Sequence, residues 1–174
     1  LLRLEPIVMK IPEFLHLGTR AYENTYERMR SLVKAESFQD QVWLLEHPSV
    51  FTLGTAADPS NILNPGDIPV IQTDRGGEVT FHGPGQRVIY FLLDIKSKKI
   101  GPKTLVANLQ LIIQKVLQHY LIESSFIEGA PGVYVENKKI ASIGLRFSNG
   151  KSYHGISINV DMNLTPFSMI NPCG

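Results

Sequence analysis

The dipeptide Asn149-Gly150 does more than any other feature to restrict the fold of this chain. A two-residue loop between antiparallel strands needs positive φ at both central positions to match the strands' twist, and Asn-Gly meets that need at little steric cost. On either side run Ile140 to Phe147 and Tyr153 to Val160, both rich in β-branched and aromatic residues. The segment therefore predicts a hairpin. Upstream, Gly132 to Val135 and the polar turn Glu136-Asn137-Lys138-Lys139 predict one more antiparallel strand. In Tyr153 to Val160, alternation puts Ile156, Ile158 and Val160 on one face and Gly155, Ser157 and Asn159 on the other. The first face reads as core. The second is small and polar, and suits a floor beneath a substrate.

The rest of the chain supplies helices and further strands. Tyr22, Tyr26, Met29 and Val33 recur at helical spacing after Thr19, a candidate N-cap. Leu105, Leu109, Ile112, Ile113, Val116, Leu117 and Tyr120 form an apolar stripe after Thr104, a second candidate cap. Val42 to Leu45, Phe51 to Leu53 and Val70 to Gln72 read as short strands, with Pro48 ending the first. Arg87 to Ile95 is apolar on both faces and reads as a central strand. Ala56 to Pro69 is a long loop rich in Pro, Asn, Asp and Gly. Thr165-Pro166 opens a short helical turn from Phe167 to Ile170. The expected fold class is α/β of the α+β type, one domain over residues 1–174 with a mixed, mainly antiparallel sheet and packed helices.

Composition removes several classes of function. A net charge of +1 gives nucleic acid no electrostatic footprint to bind. No apolar run approaches the roughly 20 residues that span a bilayer. The N-terminus lacks a secretory pattern, and also lacks an initiator Met. A single cysteine cannot form an internal disulfide, which fits a reducing compartment and a cytoplasmic location.

Four clusters carry unusual residues. Arg75-Gly76-Gly77-Glu78-Val79-Thr80-Phe81-His82-Gly83-Pro84-Gly85-Gln86 is the densest. Its glycines permit tight turns and close backbone approach to a ligand. Arg75 could meet a polar or phosphorylated partner, and His82 can donate, accept or titrate. Composition alone favours a glycine-rich hairpin with surface Arg and His. The segment is neither a Walker loop nor a dinucleotide fingerprint. In Lys139-Ile140-Ala141-Ser142-Ile143-Gly144, Lys139 stands at the mouth of a strand, and Ser142 and Gly144 share a face. His154-Gly155 opens the next strand, where a lone His is ordinarily structural. In Asn171-Pro172-Cys173-Gly174, Pro172 and Gly174 constrain a turn that could present the thiol. A zinc site from His82, His154 and Cys173 has suitable ligand types but no short ligand spacing.

Taken together the clusters resemble one family. Arg75-Gly76-Gly77 with Thr80-Phe81-His82-Gly83-Pro84-Gly85-Gln86 resembles the signature of lipoyl(octanoyl) transferases. So do Glu46-His47-Pro48-Ser49-Val50-Phe51-Thr52-Leu53-Gly54, Gly132-Val133-Tyr134-Val135, Lys139-Ile140-Ala141-Ser142-Ile143-Gly144-Leu145-Arg146, His154-Gly155 with Asn159-Val160, and Pro172-Cys173-Gly174. The resemblance covers nearly the whole chain. It implies a fold like the catalytic domain of biotin and lipoate protein ligases, and a Cys-Lys dyad. By the same resemblance the acyl-thioester cysteine falls on Cys173 and the essential lysine on Lys139, not Lys138. The substrate-binding segments fall on Arg75, Gly76, Gly77, Glu78, Val79, Thr80, Phe81 and His82, on Ser142, Ile143 and Gly144, and on Gly155, Ile156 and Ser157. Position 81 is Phe where the family usually has Tyr, so no phenol there can be a required acid. The family pattern also implies a further segment beyond Gly174.

The activity implied is transfer of an octanoyl group from octanoyl-acyl carrier protein, where phosphopantetheine carries it, to a lysine of a lipoyl domain. The implied acceptors are the lipoyl domains of 2-oxoacid dehydrogenase complexes and the glycine cleavage H protein. A monomer is expected, with no ATP, metal or other cofactor. A lysine ammonium about 4 Å from a thiol contributes roughly 4 kcal/mol to the thiolate at an effective dielectric near 20. Lys139 could therefore ready Cys173 for attack, and then take the proton of the incoming amine. Two alternatives share the same residues: an ATP-dependent lipoate or biotin ligase, and a non-catalytic module that binds an acyl carrier.

Overall fold

The computed structural model describes residues 11–172 of the 174. Its framework is a seven-stranded sheet and a three-stranded sheet. The large sheet contains β1 (Glu13–Thr19), β2 (Gln41–Glu46), β6 (Gln86–Asp94), β10 (Lys151–Asn159), β9 (Lys138–Ser148), β8 (Ala130–Val135) and β7 (Ser125–Ile127), in that spatial order. The small sheet has β3 (Val50–Leu53) between β4 (Val70–Gln72) and β5 (Val79–His82). Only the β1–β2 and β3–β4 pairs are parallel, so the mixed, mainly antiparallel expectation holds.

The hairpin forms where Asn149-Gly150 places it. Both residues have positive φ, 52° and 77°, the pattern of a type I′ loop. A second such loop, Glu136-Asn137 with φ of 48° and 62°, joins β8 to β9. The turn is thus shorter than the four polar residues suggest, and Lys139 belongs to β9.

Helix α1 (Tyr22–Lys34) packs on β10 and helix α2 (Pro102–His119) on β8 and β9. They cover opposite faces of the large sheet. Met29 and Val33 of α1 join Val88, Tyr90 and Leu92 of β6, while Leu105, Leu109, Ile113 and Leu117 of α2 join Phe91, Ala141, Leu145 and Ile156. Strand alternation sends residues 88, 90 and 92 to one side and residue 91 to the other. Each fully buried Leu or Ile of α2 is worth about 1.5–3 kcal/mol. Among the described residues no helix is long and apolar enough to cross a membrane.

Several local expectations need correction. Thr19 ends β1 rather than capping α1, whose N-cap is Ala21 without a side-chain bond. Thr104 lies inside α2, which starts at Pro102 after Gly101; proline at a first helical position loses no needed N–H. Val160 lies past the end of β10 and is exposed, so only Ile156 and Ile158 keep the core face. Strands β1, β5 and β7 were not anticipated. All three are edge strands, and β1 and β7 are mostly exposed, with little apolar alternation to announce them.

Candidate active site

The Arg75 segment is folded inward. Arg75 follows β4 and is 7% exposed. Its guanidinium donates to Thr52 O at 2.7 Å, Thr52 Oγ1 at 2.9 and 3.1 Å, Glu78 O at 2.6 Å and Gly76 O at 3.0 Å. Its charge is therefore spent on β3 and on its own loop, and the surface Arg expected from composition is not found. Gly76 N–H donates to Leu145 O at 2.9 Å, which lays the loop along β9 just where β8 stops pairing. Close approach requires glycine: a Cβ at Gly144 would sit 2.9 Å from Gly76 O.

A β-bulge sets the direction of Lys139. Val133 faces Ala141 and Tyr134 faces Lys139, so Ile140 is an extra residue on β9. Ile140 and Ala141 both pack in the α2 core, and Lys139 returns to the side of Ser142 and Gly144. Its stem runs over Gly132, and Nζ stands 5.5 Å from the Tyr134 ring centre. Lys138 is exposed, as expected of a solvated turn lysine.

These elements enclose a cavity of about 770 Å³, within the roughly 300–1,000 Å³ of small-molecule sites. Arg75 to Thr80, His82, Ser142 to Gly144 and Gly155 to Ser157 all border it, as do Lys139 and Pro172. Phe81 does not: it packs at 2% exposure against Phe51, Phe167 and Ile170 beneath the small sheet. Cys173 lies outside the described residues.

Tyr22, His82, Tyr90 and His154 form the inner wall of the cavity, and His47 is buried behind them. His47 Nδ1 lies 2.6 Å from Arg20 O and Nε2 lies 2.8 Å from Tyr90 Oη. A carbonyl only accepts, so Nδ1 carries the proton and Tyr90 donates to Nε2. Burial pushes the imidazole of His47 down to about 4 and that of His82, aided by His47, down to about 3. Burial also raises the Tyr22 phenol to about 12 and holds that of Tyr90 well above its ordinary value. All four groups are neutral at pH 7.

His154 is in the left-handed region, φ 59°, in mid-strand. That turns its ring to the same side as Tyr153, 5.0 Å away and stacked. Its Nε2–H donates to Asp74 Oδ1 at 3.0 Å, and Tyr153 Oη donates to Asp74 Oδ2 at 2.6 Å. Burial raises the Asp74 carboxyl, but hydrogen bonds from His154, Tyr153 and Tyr26 outweigh it and hold the group well below the usual range. His154 is thus hydrogen-bonded, as a lone strand histidine suggests, and it also borders the cavity. Asp74 anchors the loop that begins at Arg75. Asp74, Tyr22 and Tyr90 were not legible as site residues, because they come from an ordinary turn, helix and strand.

Among the described residues no group of three or more His, Cys, Asp or Glu could hold a metal. Lys151 donates to Val33 O and Ala35 O at 3.0 Å and lies over Phe38.

Residues 22–174 match the lipoyl protein ligase A/B catalytic domain. The chain is 53% identical over 161 residues to an octanoyltransferase of Shewanella halifaxensis, covering 91% of this chain and 74% of that protein. It is 52% identical to one of Legionella pneumophila, covering 91% and 81%. Among solved structures, lipoate-protein ligase A bound with ATP superposes with a TM-score of 0.76 at 11% identity, covering 95% of this chain and 73% of that one. Biotin protein ligase from Aquifex aeolicus superposes with a TM-score of 0.52 at 17% identity, covering 91% and 55%. Those likenesses concern the fold alone. The sequence identity reaches further, and the chain belongs to the octanoyltransferase family, with a catalytic domain of the lipoyl protein ligase A/B type.

Proposed function

We propose that the chain transfers an octanoyl group from octanoyl-acyl carrier protein to a lysine of lipoyl domains, through a thioester on Cys173 with Lys139 as its partner. The supporting observation is that Lys139 and Pro172, the residue before Cys173, border one cavity whose lining is largely apolar. In this reading 1–174 is a single catalytic domain acting in the cytoplasm as a monomer, with no ATP, metal or other cofactor. The lipoyl domains of 2-oxoacid dehydrogenase complexes and the glycine cleavage H protein are the acceptors.

Cys173 attacks the carrier thioester as thiolate, and the phosphopantetheine sulfur leaves as a thiol with a proton from the Lys139 ammonium, which leaves that amine neutral for the second step. The Lys139 ammonium favours that thiolate. The acceptor amine then attacks the acyl-Cys173 carbonyl. Lys139 takes an amine proton and passes it to the departing sulfur. An amide replaces a thioester, so the step needs no nucleotide. The loop Arg75–Thr80 and the strands at Ser142–Gly144 and Gly155–Ser157 wall the acyl chain from water.

The ligase alternative rests on the shared fold and is separated by substrate. Octanoyl carrier protein plus a lipoyl domain, without ATP, is expected to give the octanoylated domain. Product only from free octanoate with ATP would replace this reading by a ligase. Carrier binding with no product under either condition would leave a binding module.

A further inference from the structure

His82 is held by a chain of hydrogen bonds whose proton positions can be worked out. The Gln86 amide Nε2 lies 3.2 Å from Phe81 O and 2.9 Å from Asn159 Oδ1. Phe81 O is a backbone carbonyl and can only accept, so the amide nitrogen faces it and Oε1 faces the other way. Oε1 lies 2.7 Å from His82 Nδ1. A carboxamide oxygen cannot donate, so Nδ1 carries the proton. In the neutral ring Nε2 is then a lone pair, and His82 borders the cavity.

The chain also places His82 at the Lys139 end. Gln86 pairs with Asn159, the last residue of β10, and its neighbour Ile158 pairs with Ala141, two residues from Lys139. Phe167, which abuts Phe81, lines the same cavity with Pro172. The titratable or charged groups facing the His82 ring are Tyr22 from α1, stacked at 5.8 Å, His47 at 5.9 Å, Arg75 and His154. None is a carboxylate; the Gln86 hydrogen bond alone favours an imidazolium, burial and the neighbouring groups outweigh it, and the ring stays an acceptor.

We propose that Gln86 and Asn159 are positioning residues that lock His82 as the Nδ1–H tautomer, so that its Nε2 lone pair accepts a hydrogen bond from the attacking amine of the acceptor lysine. The inference rests on the reading that the acyl thioester forms on Cys173. In the transfer step the C–N bond forms and the C–S bond breaks, its electron pair going to sulfur. One amine proton passes through Lys139 to that sulfur. The other N–H, held by His82, remains in the product amide. His82 takes no proton. It aims the nitrogen lone pair at the carbonyl, and loss of such aim costs about ten- to a hundred-fold in rate.

Gln86→Glu tests the lock. The introduced carboxylate stabilises the His82 imidazolium, which turns Nε2 into a donor. Single-turnover transfer from preloaded acyl-enzyme is expected to gain an added acid limb between roughly pH 5.5 and 8, one proton steeper than the wild type's own dependence on neutral amine, with recovery at the alkaline end. Acylation by octanoyl carrier protein keeps the wild-type rate. Nitrogen-15 spectra of labelled histidine read the tautomer directly, and are expected to show neutral Nδ1–H in the wild type. Asn159→Leu, which leaves the Gln86 amide held by Phe81 O alone, is expected to loosen the lock, admit some of the other tautomer and slow transfer alone. An Nε2–H tautomer in the wild type, a titrating His82 in Gln86→Glu without the added acid limb, or equal slowing of both half-reactions would overturn the proposal. A wild type that forms no acyl adduct would count against the Cys173 reading instead, while the spectra still decide the lock.

Discussion

The stem of Lys139 lies against the backbone of Gly132: a Cβ at position 132 would sit 3.3 Å from Lys139 Cε and 2.7 Å from Ala141 O. Gly132 also has a φ of 149°, which side chains rarely adopt. Gly132→Ala is therefore expected to displace the lysine and strain β8 against β9. Stability should fall by about 1–3 kcal/mol in urea melts, and kcat/KM by more than about tenfold, since misplacement of a reacting group is costly. Gly66→Ala is the control. It also has positive φ, 55°, but nothing lies within 4 Å of the added carbon, so it should cost about 1 kcal/mol and leave activity intact.

Arg75 predicts a failure of a conservative change. Its planar fork reaches Thr52, Gly76 and Glu78 at once, which an ammonium cannot do. Arg75→Lys should strand buried carbonyls and lower stability by roughly 2–4 kcal/mol in chemical denaturation. Transfer activity should fall as the loop lifts from β9. Wild-type stability in this variant would contradict the bonding described.

Acid should destabilise the fold well before carboxylates titrate. His47 and His82 are neutral when folded, down to about 4 and about 3, but take a proton near pH 6.5 when unfolded. Below pH 6.5 the unfolded chain binds more protons, so stability falls as pH falls toward the folded values. Between pH 7 and 5 the two groups should together cost on the order of 2–4 kcal/mol. Asp74 acts in the same direction later. Its depressed carboxyl stabilises the fold above the unfolded value and that contribution is lost only in stronger acid. Denaturant midpoints at pH 5 and 7 check the slope.

Much of this arrangement is legible before any coordinates. Asn149-Gly150, the apolar run into Ile95 and the α2 stripe specify the hairpin, the central strand and the helix through local periodicity. The glycine-rich segment announces a close backbone approach, and Gly76 against Gly144 is that approach. What cannot be read is what depends on tertiary context. The bulge at Ile140, which brings Lys139 to the cavity side, has no sequence mark, since Lys-Ile-Ala-Ser alternates acceptably either way. The left-handed His154 looks like any strand histidine. Arg75 and His82 look exposed in a polar, glycine-rich stretch, yet their partners Thr52 and Gln86 bury them. Phe81 sits within a signature segment but faces the small-sheet core, because strand alternation in β5 sends it away from its neighbours Thr80 and His82.

Intact-protein mass spectrometry after incubation with octanoyl carrier protein, in the absence of any acceptor domain, tests the central claim most directly. A gain of one octanoyl group on the wild type, released by an added lipoyl domain and absent from Cys173→Ala, is the predicted result. Full transfer activity with an unmodified chain, or an adduct that persists in Cys173→Ala, would contradict it.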